Sequence, residues 1–350
     1  MPVFTIDPLT DARWDELLNR HARTSVFHTS GWLAALRQTY DYEPIAFTTS
    51  RPGEPLRNGL VFCKVKSWVT GRRLVSLPFS DHCALLVDTS SEQEELLSHL
   101  CKRASRDGYT HAEIRPKNTG ESVPLAAANL EIAERFCLHT LSLDPPLDVL
   151  FHNLHKDCIR RKIHRAQKEH LSYESGRTEP LLHTFYQLLM RTRRRQLLPP
   201  QPLKWFRNLV KSMGENLTIR MVSKDHCPVA AMLTLSHKTT LTFKYGCSDE
   251  RFQNLGGTPF LFWKAIQEAK DQGLRELDLG RSAIDHAGLI QFKDRLGAVK
   301  TVLPYWRGPS GKAAAPARLW WQIRMTKGIM SWIPEPVLVA SGRFLYRHIG

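Results

Sequence analysis

The sequence predicts an α/β fold with α+β mixed sheets, arranged as two domains of ordinary size. The chain has 350 residues, which is long for a single hydrophobic core. Segments with strand-like and helix-like patterns alternate through both halves. The stretch Asp144-Pro145-Pro146 separates the halves. We therefore place an N-terminal domain at 1–147, a C-terminal domain at 148–310 and a tail at 311–350.

Helical and strand patterns in the first half follow one another in order. Leu96, Leu100 and Ala104 recur at the helical spacing, and the runs between 60 and 78 are rich in β-branched and apolar residues. The predicted elements are a helix at 32–39, strands at 60–68 and 73–78, a helix at 91–106 and a strand at 109–114.

The second half repeats this alternation, which predicts a structural pseudo-repeat. One helix has clear end signals, because Thr258 suits an N-cap, Pro259 suits the first helical position and Gly273 follows the last. The predicted elements are helices at 154–170 and 180–196, strands at 218–222, 228–236 and 240–245, a helix at 258–272 and a strand at 274–279.

Composition excludes several classes of protein. A hydrophobic fraction of 42% is enough for packed cores and argues against disorder. The seven cysteines are scattered, which argues against a disulfide framework or a zinc ribbon, so we expect no metal. The sequence has no apolar run of transmembrane length and no secretory signal at its start, so we expect a cytoplasmic protein.

The net charge of +15 predicts an anionic partner. Nucleic acid, anionic membrane, coenzyme A and nucleotide-linked sugars are all open, as is a basic surface that only keeps the protein soluble. In the tail, basic residues alternate with Trp320, Trp321 and Trp332, a pattern typical of a membrane interface. Peripheral contact with the inner face of the membrane and packing of the tail on the second domain are therefore two open alternatives.

The stretch from Gln253 to Pro259 has the most chemical content. Gly256 and Gly257 lie between a predicted strand and a predicted helix, where glycines let the backbone approach a ligand. The free N–H groups of a helix start also attract anions. We predict a phosphate-binding loop that includes Gln253, Gly256, Gly257 and Thr258. A tight turn before a well-capped helix is the alternative.

This loop resembles the pyrophosphate loop of GNAT acyltransferases. Gln253 and Gly256 match that pattern, and Thr258 stands where glycine or alanine is usual. Further motifs resemble the FemAB-like branch of the same superfamily, in the same order along the chain. They are Phe27-His28-x-x-x-Trp32, Ser76-Leu77-Pro78-Phe79-Ser80-Asp81, the basic segment at 154–170, Tyr245-Gly246-Cys247-Ser248, Asp278-Leu279-Gly280 and Gly288-Leu289-x-x-Phe292-Lys293.

The resemblance covers about residues 20 to 308 and implies two tandem GNAT-like domains of the acyl-CoA N-acyltransferase type. It implies an enzyme that moves an acyl or aminoacyl group from an activated donor to an amine. GNAT enzymes use acyl-CoA and Fem transferases use aminoacyl-tRNA, so both donors are open and no tightly bound cofactor is expected. We expect an acceptor of the cell-envelope or polysaccharide type.

The same resemblance implies roles for individual residues. Lys293, with Phe292 beside it, is expected to face the negative charge that develops on the reacting carbonyl oxygen. Thr192 and Arg194 are expected to hold phosphates of a nucleotide-linked acceptor, or else to be part of a charged helix end that offsets the dipole. Tyr245 is expected to contact substrate, or else to be a half-buried strand aromatic.

Three further candidates lie at ends of predicted strands. Asp278 and Arg281 flank a glycine where ligands of α/β folds bind, although they can also pair with each other. Asp81 lies in a Ser-Asp-His loop, where it is a candidate general base, with turn capping as the simpler explanation. Cys247 has no evident histidine partner, which argues against an acyl-cysteine intermediate.

Two non-catalytic functions are the alternatives. A nucleic-acid-binding protein fits the charge, but the sequence lacks a helix-turn-helix, zinc or aromatic RNA-binding signature. A degenerate GNAT scaffold fits the departure from the loop pattern at Thr258.

Overall fold

A computed structural model describes residues 2–68, 70–117, 129–309 and 335–349. It divides into two compact units. The N-terminal unit comprises the described residues of Met1–Phe136, Val302–Thr326 and Ala340–Gly350, and the C-terminal unit comprises those of Cys137–Thr301 and Lys327–Val339. The first division lies earlier in the chain than the boundary predicted at 147, and the chain returns to the N-terminal unit after Thr301.

The N-terminal unit combines a mixed sheet with helices. Strands β1 to β4 pair antiparallel in chain order, and β4 then pairs in parallel with β5 through a helical crossover. The elements are β1 (Phe4–Ile6), α1 (Arg13–Arg20), α2 (Ser30–Tyr40), β2 (Glu43–Thr48), β3 (Leu60–Ser67), β4 (Gly71–Val75), α3 (Ser90–Arg106), β5 (His111–Ile114) and the start of β6 (Glu131–Ser142).

Helix α3 shows how local sequence sets an element in this unit. The Glu92 N–H donates to the Thr89 hydroxyl at 3.2 Å, and the Glu92 carboxylate accepts from the Thr89 N–H at 3.3 Å, so a capping box starts the helix. Leu96, Leu100 and Ala104 are fully buried against the sheet core, as their spacing predicts. The predicted helix at 91–106 is confirmed.

The C-terminal unit repeats the arrangement with a longer set of strands. Strands β7 to β10 pair antiparallel in chain order, and β10 pairs in parallel with β11. The elements are α4 (Leu147–Asn153), a π-helical turn (Lys156–Arg160), α5 (Arg161–Lys168), β7 (Ser172–Gly176), α6 (Glu179–Arg195), α7 (Leu203–Met213), β8 (Leu217–Lys224), β9 (Cys227–His237), β10 (Thr240–Ser248), α8 (Gly257–Asp271), β11 (Glu276–Ala283), α9 (Ala287–Arg295) and the start of β12 (Val299–Gly308), whose residues from Val302 onward belong to the N-terminal unit. The predicted α/β class with mixed sheets is confirmed.

Two predicted helix starts in this unit are wrong. Helix α8 begins at Gly257, and its N-cap is Gly256 at φ 77°, so Thr258 and Pro259 lie in the first turn. A left-handed N-cap favours glycine over threonine, which explains the shift. The basic helix predicted from Leu154 begins with the π-helical turn at Lys156, and the His155 ring accepts from the Cys158 N–H at 3.3 Å.

The described part of the tail is helix α10 (Glu335–Ile349). Within the N-terminal unit, Thr70 Oγ1 and Arg73 Nη2 donate to the His348 carbonyl oxygen at 2.9 and 2.8 Å. The Tyr42 hydroxyl donates to the Tyr346 carbonyl oxygen at 2.7 Å. Residues 340–349 of the tail therefore belong to the N-terminal unit, whereas residues 335–339 belong to the C-terminal unit, so the alternative that the tail packs on the second domain is wrong for 340–349 alone.

The tryptophan-rich segment of the tail, Trp320, Trp321 and Trp332 included, lies outside the described residues, so the predicted membrane contact stays a prediction. None of the described helices combines the length and the apolar character that a membrane crossing requires.

Candidate functional site

A cavity of about 510 Å³ lies in the C-terminal unit, beside the later part of β10. Strand β10 pairs in parallel with β11 only along Thr240–Thr242, and a bulge follows between Phe243 and Tyr245. Bulges redirect side chains and end regular pairing, and they are common next to functional sites. The cavity walls come from β9 and β10, the loop before α8, the first turns of α8, the end of α6, the π-helical turn with the start of α5, and α9.

Lys293 is a buried cation in the wall of this cavity. It lies on α9 with 3% of its surface exposed. Its ammonium donates to the carbonyl oxygens of Gly280 at 2.8 Å and Arg281 at 3.2 Å. Because a buried ammonium is costly unless it is hydrogen-bonded, these two carbonyls compensate the burial and fix the side chain. Phe292 also lines the cavity and packs on Phe262, with ring centroids 5.5 Å apart.

The predicted loop borders the same cavity, but its glycines serve the packing of α8. Gln253, Gly257 and Thr258 line the cavity, and Gly256 does not. A Cβ on Gly256 would overlap the Lys162 carbonyl oxygen, and a Cβ on Gly257 would lie 2.7 Å from a Val229 methyl. The missing side chains therefore make room for α5 and β9 at these two positions, and the predicted phosphate binding by the loop stays a prediction.

Basic side chains surround the cavity and the groove beside it. Lys162, Arg195 and Arg295 line the cavity. The neighbouring groove, of about 610 Å³, holds four guanidinium groups and two carboxylates. Its lining residues are Arg191, Arg194, Arg195, Leu197, Ser248, Asp249, Glu250 and Arg251. The predicted Arg194 thus lies in this basic groove, which shares Arg195, Ser248 and Asp249 with the cavity.

Asp249 and Thr192 make the side-chain hydrogen bonds that connect the residues around the groove. Hydrogen bonds from Arg251 lower the pKa of Asp249 to about 2, with a further contribution from Arg191, whose Nη1 lies 2.8 Å from the carboxylate. The Thr192 hydroxyl donates to the Ser248 carbonyl oxygen at 3.2 Å and accepts from the Ser248 N–H at 3.0 Å. Thr192 therefore ties α6 to β10 at the cavity wall.

Besides Gly256 and Arg194, four predicted residues are not among the cavity lining, namely Tyr245, Asp278, Arg281 and Asp81. The Tyr245 hydroxyl accepts from Trp205 Nε1 at 2.9 Å, and its ring packs edge-on against Phe206. Tyr245 is 7% exposed, so it is more deeply buried than the half-buried strand aromatic of the alternative, and its contact with substrate stays a prediction. Asp278 accepts from the Gly280 N–H at 2.8 Å, which caps its own turn, while the Arg281 backbone holds Lys293.

Asp81 belongs to the N-terminal unit, where it is 9% exposed and its carbonyl oxygen accepts from the Tyr305 hydroxyl at 2.6 Å. In the C-terminal unit, burial raises the pKa of the Cys247 thiol, which keeps it protonated and agrees with the absence of an acyl-cysteine step.

Several lining residues were missed from the sequence. Lys162 and Arg195 belong to basic runs that the sequence shows plainly, but which member of a run faces a cavity depends on helix phase. Phe252 and Phe262 contribute apolar wall and belong to none of the motifs, while Leu289 belongs to the Gly288-Leu289 motif but was not named as a site residue. Among the residues that the structure describes, no three His, Cys, Asp or Glu side chains are grouped to hold a metal.

Comparisons with known proteins show similarity in part of the sequence and in the fold. Residues 155–293 match the family model described as an acetyltransferase (GNAT) domain. No curated protein matches the sequence. A crystal structure of FemX superposes with a TM-score of 0.71 at 14% identity, over 88% of this chain and 97% of that one.

Two other structures are similar over most of their length. L-PGS from Bacillus licheniformis has a TM-score of 0.56 at 12% identity, over 94% of this chain and 99% of that one. A tandem GNAT protein from the clavulanic acid biosynthesis pathway has a TM-score of 0.54 at 11% identity, over 89% of this chain and 100% of that one.

Residues 155–293 are therefore similar to a GNAT acetyltransferase domain, and the chain as a whole has the fold of FemX and of the tandem GNAT protein. The predicted FemAB-like resemblance and the assignment to the acyltransferases are confirmed.

Proposed function

We propose that this protein transfers an acyl or aminoacyl group from an activated donor to an amine of a cell-envelope acceptor, and that the cavity of the C-terminal unit is the reaction site. One observation carries the proposal. Inside the segment that matches the GNAT family, Lys293 is buried and held by two carbonyl oxygens in the wall of a cavity that begins at the loop before α8.

The chemistry needs a stabilised oxyanion and an acceptor amine that loses a proton. The amine nitrogen attacks the carbonyl carbon of the donor, and the electron pair of the C=O bond moves to oxygen. When the tetrahedral intermediate collapses, the C–S bond of a thioester or the C–O bond of an ester breaks, and the leaving group takes up the proton that the amine loses. Lys293 is placed in a dry wall, where a cation near the oxyanion contributes about 3–4 kcal/mol.

The donor in this proposal is an adenosine-terminated polyanion that carries an activated carbonyl. Acyl-CoA and aminoacyl-tRNA share that chemistry. Lys162, Arg195 and Arg295 supply positive charge in the cavity, and the basic groove extends this charge to Arg191 and Arg194. The likeness in fold to the C-terminal domain of a putative lysylphosphatidylglycerol synthetase, whose name contains a membrane phospholipid, supports an acceptor in the cell envelope.

Thermal unfolding with candidate donors tests which of them binds. Acetyl-CoA, coenzyme A, a mixture of aminoacylated tRNAs and the same tRNAs uncharged are compared with buffer. A donor at 100 times its dissociation constant stabilises the protein by about 2.7 kcal/mol, which raises Tm. The expected result is a Tm increase with one donor class. No increase with either class would overturn the proposed donor chemistry.

Lys293→Ala tests the chemical role. We expect transfer to fall by about 10²- to 10³-fold while donor binding persists, because the lost interaction forms only in the transition state. Lys270→Ala is the matched control, since Lys270 also donates to main-chain carbonyl oxygens, those of Leu143 and Pro145, and does not line the cavity. Equal transfer by Lys293→Ala and wild type would remove the catalytic role.

A non-catalytic nucleic-acid-binding protein is the competing function, and the basic groove is what favours it. It predicts equal binding of charged and uncharged tRNA, a steep loss of affinity with salt, and no transfer to any amine.

A further inference from the structure

A buried histidine lies beside the proposed catalytic lysine. His139, on the part of β6 that belongs to the C-terminal unit, is 0% exposed. Its Nε2 lies 3.1 Å from Oδ1 of Asp294, the residue that follows Lys293 on α9. Its Nδ1 is buried and makes no hydrogen bond to any of the described residues. The Asp294 side chain is 46% exposed, so the pair joins a buried strand position to the surface of α9.

This arrangement fixes the protonation of the ring. Burial lowers the pKa of His139 below its ordinary value, and the charge of Lys293 lowers it further, against the opposing effect of Asp294. The imidazole is therefore neutral at pH 7. Because a carboxylate only accepts hydrogen bonds, Nε2 carries the proton and donates to Asp294, and Nδ1 carries a lone pair.

We propose that His139 is a positioning residue for Lys293. As a neutral imidazole, it donates a hydrogen bond from its Nε2–H to Asp294 and so fixes this part of α9. From there the ammonium of Lys293 reaches the carbonyl oxygens of Gly280 and Arg281. The proposal deepens the proposed function and rests on it for the catalytic role of Lys293. The pair acts through main-chain placement, since His139 is not among the residues that line the cavity.

Protonation of His139 disturbs the arrangement for two reasons. The added proton sits on Nδ1, where no acceptor is found among the described residues. The added charge also faces the cations Lys293 and Lys300, with Asp294 as the compensating anion. The histidine binds a proton less readily in the folded than in the unfolded state. Its stabilising contribution is therefore present above the unfolded pKa, near 6.5, and is lost as pH falls through the lower folded pKa.

The first test compares pH profiles of His139→Gln and wild type. A glutamine amide can reach the position of Nε2 and donate to Asp294, but it does not titrate. We expect kcat near the wild-type value at pH 8, and an acid limb of kcat that lies at lower pH than in wild type. His237→Gln is the matched control, because burial also lowers the pKa of His237, to about 4. His237 lies at the end of β9 that is far from the cavity-lining residues 229–232. An acid limb of His139→Gln identical to that of wild type would overturn the proposal.

The second test removes the hydrogen bond. Asp294→Ala changes a half-exposed side chain, so the variant is expected to fold. We expect kcat to fall by up to about 100-fold with the donor KM nearly unchanged, since a misplacement of 1 Å can cost that much. His139→Phe, if it folds, should show the same split between kcat and KM. Unchanged kcat in Asp294→Ala would show that the pair does not position Lys293.

A stability measurement separates this inference from the proposed function. The free energy of unfolding of wild type and His139→Gln is measured from pH 8 to pH 5, without any substrate. We expect wild type to lose more stability than His139→Gln over this range. That result with no transfer by either protein would reject the proposed function but keep the buried neutral histidine. Equal losses would reject the histidine argument whatever the activity.

Discussion

The two units use one strand–helix–strand crossover in different ways. In the N-terminal unit, helix α3 connects β4 to β5, and the two strands pair in parallel with Arg73 to Val75 opposite His111 to Glu113. In the C-terminal unit, helix α8 connects β10 to β11, and the two strands pair in parallel over the same length, along Thr240–Thr242 of β10. Ligands of such sheets bind beyond the carboxyl ends of the parallel strands. The residues that follow these ends distinguish the two units.

In the N-terminal unit, that position is filled by a charged network. Glu113 is buried between Arg115 at 2.7 Å and Arg307 at 2.7 Å. Burial alone would raise the pKa of Glu113, but the charges of the two arginines outweigh it and hold the carboxyl ionised. Arg115 also donates to the carbonyl oxygens of Leu77 at 2.9 Å and Ser80 at 3.2 Å, so it clamps the loop that follows β4.

This clamp supports an unusual backbone. Leu77 and Phe79 adopt φ of 59° and 61°, a left-handed region that costs bulky residues about 1–3 kcal/mol each. The Tyr305 hydroxyl, from β12, holds the carbonyl oxygen of Asp81 in the same loop. In the C-terminal unit the later part of β10 borders the cavity instead. The comparison teaches that the topology provides the position, while the side chains beyond the strand ends decide whether it is filled or left as a cavity.

Arg115→Met is the strongest way to break the network of the N-terminal unit. It leaves the buried Glu113 with one arginine, and removal of one partner of a buried pair costs about 3–5 kcal/mol. Urea unfolding should show this loss. Arg72→Met, an exposed β4 position whose guanidinium stacks on Tyr109, is the control, with an expected change of less than about 1 kcal/mol. Equal stability of Arg115→Met and wild type would mean that the network contributes little.

Gly256→Ala tests the corresponding junction of the C-terminal unit. We expect a loss of more than about 1–3 kcal/mol, because the φ of 77° is strained for alanine and the new methyl also overlaps the Lys162 carbonyl oxygen. Gly273→Ala is a matched control, since its φ is 72° and nothing lies within 4 Å of the added Cβ. Thermal unfolding of both variants isolates the contact with α5. Identical Tm shifts would show that this contact has no cost.

Tyr305→Phe is expected to have the smallest effect on stability, because it removes one hydrogen bond to the loop that contains Asp81. The hydroxyl is buried, and loss of its hydrogen bond to the Asp81 carbonyl oxygen should cost about 0.5–1.5 kcal/mol. Tyr109→Phe serves as the control, because its hydroxyl makes no hydrogen bond to the described residues. If the predicted general-base role of Asp81 holds, kcat should fall as well. A fall in stability at unchanged kcat would leave Tyr305 with a structural role alone.

Local signals in the sequence predicted elements that carry their own start or repeat. Helix α3 has its capping box and apolar spacing, and α6 has Thr178 as N-cap with Pro180 in its first turn. Strand β6 and helix α7 are among the elements that were missed. The first half of β6 alternates exposed and half-buried positions within a charged stretch, and α7 follows Pro202 without a side-chain cap. Neither has a local signature strong enough to outweigh its composition.

The sequence by itself determined the resemblance to FemAB-like transferases, through the order of its motifs, and the α/β class, through its alternating patterns, because both depend on residue type and spacing. Only the tertiary structure decided which side each residue faces. It placed the Lys162 carbonyl oxygen over Gly256, turned Tyr245 towards Trp205 and brought His139 to Asp294. The physical reason is that these contacts join residues far apart in the chain, and a short motif holds no information about the partner that packing brings to it.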